Sequence, residues 1–166
     1  MATLNILTGV DNETLRKKSK PIKKANKEIK KLAVDMMDTM MIGDGLGLAA
    51  PQIGVNLRMI VVRMNFQTKN EMIVPMINPE ILKVSEKMVC AEEGCLSIPK
   101  KFVPVKRAAE ITVKYRNLHF EEHVLNLHSM NARVIQHEID HLDGILMVDR
   151  MESDLSPAAI EREIKG

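Results

Sequence analysis

The run Gln136-His137-Glu138-Ile139-Asp140-His141 constrains this chain more than any other feature, because it lies in a segment, Ser129 to Leu142, that reads as a helix ended by Asp143-Gly144. Residues four apart on a helix differ by roughly 40° around the axis, so His137 and His141 project together and can present two imidazoles to one metal ion. Glu138 lies about 60° to one side of His141, close enough to touch a metal-associated water without being a ligand. Spacing alone does not choose the base, since Asp140 flanks His137 symmetrically on the other side. The competing reading is a helix with two unrelated surface histidines. Two histidines also leave a catalytic metal one protein ligand short, because such sites usually have three and keep a position open.

No third histidine follows His141, where the chain continues Leu142-Asp143-Gly144, so the candidate ligand lies upstream. Glu93-Gly94-Cys95-Leu96-Ser97 places a thiol after a glycine in what reads as a short loop, where the backbone can turn tightly and expose the sulfur. A cysteine by itself is more often a small buried hydrophobe, and Cys90 reads that way; Cys95 gains weight only from its company. A third segment, Gly45-Leu46-Gly47-Leu48-Ala49-Ala50-Pro51-Gln52, lacks the Gly-Lys-Ser/Thr of a phosphate loop and the third glycine of a dinucleotide loop. Its small residues let the backbone approach a ligand, and Gln52 offers a neutral amide donor. Alone it is equally a turn.

Around these segments, Asn26 reads as an N-cap for a helix carrying Ile29, Leu32, Ala33, Met36, Met37 and Met40 at helical spacing, with Gly43 as its stop. Leu57 to Met64 and Met76 to Val84 read as strands joined by a polar connection around Thr68 to Glu71. Ile111, Val113 and Tyr115 alternate with polar residues as a third strand, and Asn117 opens a turn toward a fourth from Phe120 to Leu125. Ser156-Pro157 reads as the start of a short final helix reaching Ile164. Strands between helices without regular alternation indicate a single α+β domain over 1–166, with antiparallel or mixed sheets packed around the central histidine helix and a helical tail over 151–166.

Composition excludes several function classes. The formal net charge is +2, and the chain holds 13 Met but only 3 Phe, 1 Tyr and no Trp, so neither a concentrated basic surface nor stacking platforms point to nucleic acid. The basic stretch from Arg16 to Lys31 is split by Pro21 and interrupted by Glu28, and reads as a solvated face. Two cysteines are too few for a disulfide framework, no apolar run approaches the ~20 residues that cross a bilayer, and Asp11 and Glu13 disfavour a transit peptide. A cytoplasmic protein without membrane contact is expected.

Together the three motifs resemble the signature set of peptide deformylases: Gly-x-Gly-x-Ala-Ala-x-Gln, then Glu-Gly-Cys-x-Ser, then Gln-His-Glu-x-Asp-His, present here in that order without substitution, within roughly 6–150. The resemblance implies removal of the formyl group from the formylmethionine that begins nascent polypeptides. It implies that Cys95, His137 and His141 hold one divalent ion, usually Fe(II), with zinc, nickel or cobalt as replacements. A thiolate and two imidazoles suit several of these ions. Glu138 would take a proton from water and deliver it to the leaving amine, while the Gln52 amide and the backbone N–H of Leu96 bind the developing oxyanion. By the same resemblance Leu46, Val134 and Met130 line a slot for the methionine side chain, and the backbone at Gly47 pairs with the extended peptide. Asp140 and Gln136 would orient ligands or anchor the helix, and Arg107, in a strand leading away from the cysteine loop, is a candidate partner for Asp140.

The chain departs from the family's usual pattern at Ser129, where many members have glycine, and at Asn131; Ser129 is expected to act as an N-cap. The segment after Met151 is short and carries both signs of charge, a poor match to the basic helix by which some relatives dock on the ribosome. Two rivals stand beside the deformylase reading: a zinc metallopeptidase on the same histidines and glutamate, and a catalytically silent relative that binds ribosomes or nascent chains.

Overall fold

A computed structural model describes residues 3–152. Its elements are α1 (Glu13–Arg16), α2 (Lys27–Ile42), β1 (Gly47–Ala49), a 3-10 turn over Ala50–Ile53, β2 (Met59–Met64), β3 (Met72–Val84), β4 (Met88–Cys95), β5 (Ile98–Ala108), β6 (Glu110–Arg116), β7 (Glu122–His128), α3 (Ser129–Leu142) and a second 3-10 turn over Met147–Arg150. Five strands form one sheet in the order β1-β2-β3-β6-β7, and β4 and β5 form a separate ribbon. Every ladder is antiparallel. The fold is thus the expected α+β type.

Strand β2 explains how the sheet is held. Ile60, Val62 and Met64 face a core that includes Ile135, Ile139 and Leu142 of α3, while Met59 and Val61 face one that includes Ala33, Met36 and Met40 of α2. A strand buried on both faces reads as an unbroken apolar run rather than an alternating one, and Met59-Ile60-Val61-Val62 is such a run. Met36 and Met40 of α2 are therefore core, Met37 packs beside them partly buried, and Met41 is exposed. A third cluster, with Leu15, Val103, Val105 and Leu146, lies beneath the ribbon.

Five boundaries differ from expectation, the first being the start of β2 at Met59 rather than Leu57, because the N–H groups of Leu57 and Met59 close local turns on Val55 and Leu57. Helix α2 is capped by Asn26, whose side chain accepts from the Ile29 N–H, but Gly43 keeps φ −78 and the left-handed residue is Asp44, at φ 52. Gly43 instead leaves room for Leu96, since a Cβ there would lie 3.3 Å from Leu96 Cδ1, a tight contact that the leucine would have to yield to. Ser129 is not an N-cap: it is the first helical residue, with φ 55, and His128 precedes it without a side-chain cap bond. A serine in the left-handed region is strained, which accounts for glycine being the common choice there. Strand β3 begins at Met72 rather than Met76, because Pro75 lies where β3 pairs with β2 alone and its missing N–H is tolerated. Strand β7 begins at Glu122 rather than Phe120, which sits in the preceding turn at φ 61. The final helix expected from Ser156 lies outside the described residues.

The ribbon β4–β5 is the main addition. Glu93 to Ser97, expected as a loop, is the end of β4 and the tight turn into β5, so Cys95 stands on a strand end. Pro99, Pro104 and several lysines disguise β5, and a two-stranded ribbon accommodates them because each strand keeps one free edge.

Candidate metal centre

Helix α3 and the tip of the ribbon bring the three candidate ligands together. The ligand atoms of Cys95, His137 and His141 all lie within 4.8 Å of one another. Cys95 Sγ is 3.4 Å from His141 Nε2. A tetrahedral ion with ordinary metal–sulfur and metal–nitrogen bonds holds such a pair about 3.5 Å apart, so the Cys95–His141 pair already has the spacing of two ligands of one divalent metal. The ribbon tip is set against the glycine loop through Leu96, whose Cδ1 would lie 2.9 Å from a Cβ on Gly45.

Behind the histidines stands a buried ionic network. Glu93 Oε1 is 2.8 Å from His137 Nδ1, which leaves Nε2 as the nitrogen available to the ligand cluster. The same carboxylate accepts from Arg107 Nε at 2.6 Å and Nη2 at 2.8 Å, and from Arg133 Nη1 at 2.6 Å. Arg107 Nη1 continues to Asp140 at 2.8 Å, and Arg150 closes on the other side of Asp140. Burial pushes the Glu93 carboxyl up, but the hydrogen bonds from Arg107 and His137 overcome this and hold it well below the usual range. Burial pushes His137 down, yet the Cys95 sulfur and the carboxylates of Glu93 and Glu138 raise it to about 10. His141, equally buried and beside His137, is pushed the other way, well below its ordinary value.

On the opposite side, Gln52 Oε1 accepts from the Ala49 N–H at 2.9 Å, so the amide orientation is fixed and Nε2 faces inward, 3.1 Å from Ser97 Oγ and 3.7 Å from Cys95 Sγ. Glu138 is 4% exposed, and its Oε2 has no hydrogen-bond partner among the described residues. Burial pushes this carboxyl up to about 7. Gly47 lies against it: a Cβ would fall 2.5 Å from Glu138 Oε1. The obstructed atoms are the far end of a side chain, which can swing while the fold persists. Gly47→Ala is therefore expected to leave the melting temperature near wild type and to lower turnover at least tenfold by displacing Glu138, and paired calorimetry and rate measurements check this.

Gly47, Gln52, Glu93, Cys95, His137 and Glu138 border one cavity of about 600 Å³. A sequence model of the polypeptide deformylase family matches residues 4–156. The chain belongs to the polypeptide deformylase family. It is 48% identical over 143 residues to the peptide deformylase of Chlorobium phaeobacteroides strain BS1, a match covering 85% of this chain and 77% of the relative. The crystal structure of peptide deformylase from Thermotoga maritima superposes with a TM-score of 0.86 at 41% identity, over 92% of this chain and 99% of that one. A Met-Ala-Ser-bound class I type b peptide deformylase from Acinetobacter baumannii gives 0.83 at 35% identity, over 90% and 99%.

Within this deformylase-family fold, the remaining residues singled out in the sequence divide in two. Leu46, Gly47, Val134 and Met130 all border the cavity; Val134 is 7% exposed and Met130 is 49% exposed, so the wall runs from core to surface. Gln136 does not face it. Its amide bonds the N–H and C=O of Ala108, at 3.1 and 2.9 Å, and ties α3 to β5. Asn131 pairs with Asn65 through two bonds of 2.9 Å and fastens the start of α3 to the β2–β3 turn. Sequence reasoning missed Glu93 and Arg133 as partners of the histidine helix. A signal was present for Glu93, which lies two residues before Cys95 and so shares its strand face.

Proposed function

We propose that this chain is a metal-dependent hydrolase that removes the formyl group from the N-terminal formylmethionine of nascent polypeptides. We assign it one catalytic domain over 1–166, acting in the cytoplasm without membrane or nucleic-acid contact. Among the described residues no helix is long and apolar enough to cross a membrane. The observation that carries the reading is convergence: the Cys95 thiol, the His137 imidazole, the Glu138 carboxyl with its unpartnered Oε2 and the Gln52 amide border one cavity, and the His141 imidazole completes the ligand cluster with Cys95 and His137. Cys95, His137 and His141 would hold the ion, with Fe(II) preferred and zinc, nickel or cobalt able to replace it. When bound, the ion supplies Lewis acidity and a water-derived nucleophile near neutral pH.

The protein's own groups then have distinct tasks. Glu138, poised near neutral pH, takes the proton of the attacking water and returns it to the leaving amine nitrogen. The Gln52 Nε2–H and the Leu96 N–H donate to the formyl oxygen as it gains charge, and Ala49 keeps the amide aimed. Leu46, Val134 and Met130 receive the methionine side chain. Strand β1 ends the five-stranded sheet, so its outer edge at Gly47 is open to an added peptide strand. A zinc metallopeptidase would leave Gln52 and the Cys95 turn without use. A silent binding relative would have no need of Glu138 buried beside the ligands. Ribosome proximity follows from the substrate alone.

Gln52→Ala is expected to raise the barrier by ~3 kcal/mol, on the order of a hundredfold in turnover, in a chain that still folds. Amine release from formyl-Met-Ala-Ser by anaerobically purified, Fe(II)-loaded protein measures both wild type and variant. Cleavage of unformylated peptides with no amine released from the formyl peptide would contradict the reading.

A further inference from the structure

The reaction uses the inner end of the cavity, and its outer rim is formed by a stretch of β5 with no part in the chemistry. Pairing between β4 and β5 passes from Cys95↔Ile98 to Gly94↔Phe102, so Pro99, Lys100 and Lys101 are extruded as a bulge. Lys100 sits at φ 63, a left-handed conformation that lysine adopts only when its surroundings impose it. Phe102, which follows, is 69% exposed and lies over Gly94, where a Cβ would come within 2.8 Å of its ring. Pro99, Lys100, Lys101 and Phe102 all border the cavity, as does Met130.

The two lysines have no ion-pair or hydrogen-bond partner among the described residues. Of the acids bordering the same cavity, Glu93 is taken by Arg107 and Arg133, and Asp44 reaches Arg63 at 3.3 Å. Glu138 belongs to the reacting centre, which leaves Glu92 as the acid at the rim to offset them. The rim therefore presents excess positive charge beside an exposed aromatic ring, some residues beyond the reacting centre. An extended peptide leaving that centre along β1 would carry its second and third side chains past this rim.

We infer that the Lys100–Phe102 bulge selects among nascent chains by charge, favouring acidic side chains at the second or third position after formylmethionine and disfavouring basic ones. This rests on the deformylase reading and names the substrate class that the site prefers. Exposed charges act weakly and through a screened field, so the preference is expected at about three- to tenfold in kcat/KM at low salt and smaller at high salt.

Three C-terminally amidated peptides test it with the metal-loaded enzyme: formyl-Met-Asp-Asp, formyl-Met-Ala-Ser and formyl-Met-Lys-Lys. Wild type should rank them in that order, and the double variant Lys100→Glu with Lys101→Glu should reverse the ratio of the first to the last. The ratio is taken within one preparation, so partial loss of folded protein cancels. Lys101→Glu alone, at a position of ordinary backbone, should move the ratio in the same direction. Equal kcat/KM for all three peptides, or a ratio unchanged by the variants, overturns the charge selection alone. No formate from any peptide overturns the deformylase reading itself, and the proposal with it.

Discussion

Glu138→Gln should lower turnover of formyl-Met-Ala-Ser by roughly 10²–10⁴-fold while leaving bound metal and melting temperature close to wild type. The substitution keeps the shape beside Gly47 and removes only the capacity to accept and return a proton. Stability should hold because Glu138 is 4% exposed and its Oε2 lacks a partner, so a neutral amide in that place loses no hydrogen bond from Oε2. Spacing on the helix left Asp140 as an equal candidate for base. Its carboxylate is engaged by Arg107 and by Arg150, whereas Glu138 faces the cavity with an unpartnered oxygen. Steady-state kinetics with metal content measured on the same sample checks the assignment. Near-normal turnover in Glu138→Gln would return the role to another group.

Arg107→Met is expected to destabilise the protein by about 3–5 kcal/mol, because it strips a buried cation from two buried carboxylates. Arg107 is 4% exposed, and it bonds Glu93 twice and Asp140 once. Arg133 and Arg150 would remain on the two acids and place the loss toward the lower end of that range. The consequence extends to the metal: Glu93 orients His137 through Nδ1, and loosening it should weaken metal affinity about 10- to 100-fold. Denaturant unfolding at a fixed excess of metal, with a parallel metal titration, separates the two effects. A loss below 1 kcal/mol with unchanged affinity would show that the network is dispensable.

What the sequence made legible follows from how far each residue's task depends on its neighbours in the chain. Helix α3, the helix bearing Ile29 and Met36, and the strand of Ile111, Val113 and Tyr115 bury regular faces, and regular burial writes a period into the sequence. The Arg107–Asp140 contact was anticipated and is present at 2.8 Å. The ribbon is legible only in part: Arg107 reads as belonging to a strand leading away from Cys95, as β5 is, but β4 escapes notice because the ribbon's buried side carries Glu93 and Arg107, so the polarity that signals a loop here lies inside the protein. Pro99 and Pro104 deepened the disguise. Gln136 shows the reverse: it is part of the motif, yet its amide spends itself on the Ala108 backbone. Such pairings bring residues from distant parts of the chain together, and a sequence records them only as unexplained polar residues.

On the proposed reading, formyl-bond hydrolysis depends on a metal held by Cys95, His137 and His141. Anaerobic titration of Fe(II) into metal-free protein, with formate release from formyl-Met-Ala-Ser followed at each addition, tests this most directly. Activity should rise linearly from near zero and level off at about one equivalent per chain, set by the single ligand cluster among the described residues. Formate release that is already complete without metal, or that fails to appear at any metal loading, would contradict it.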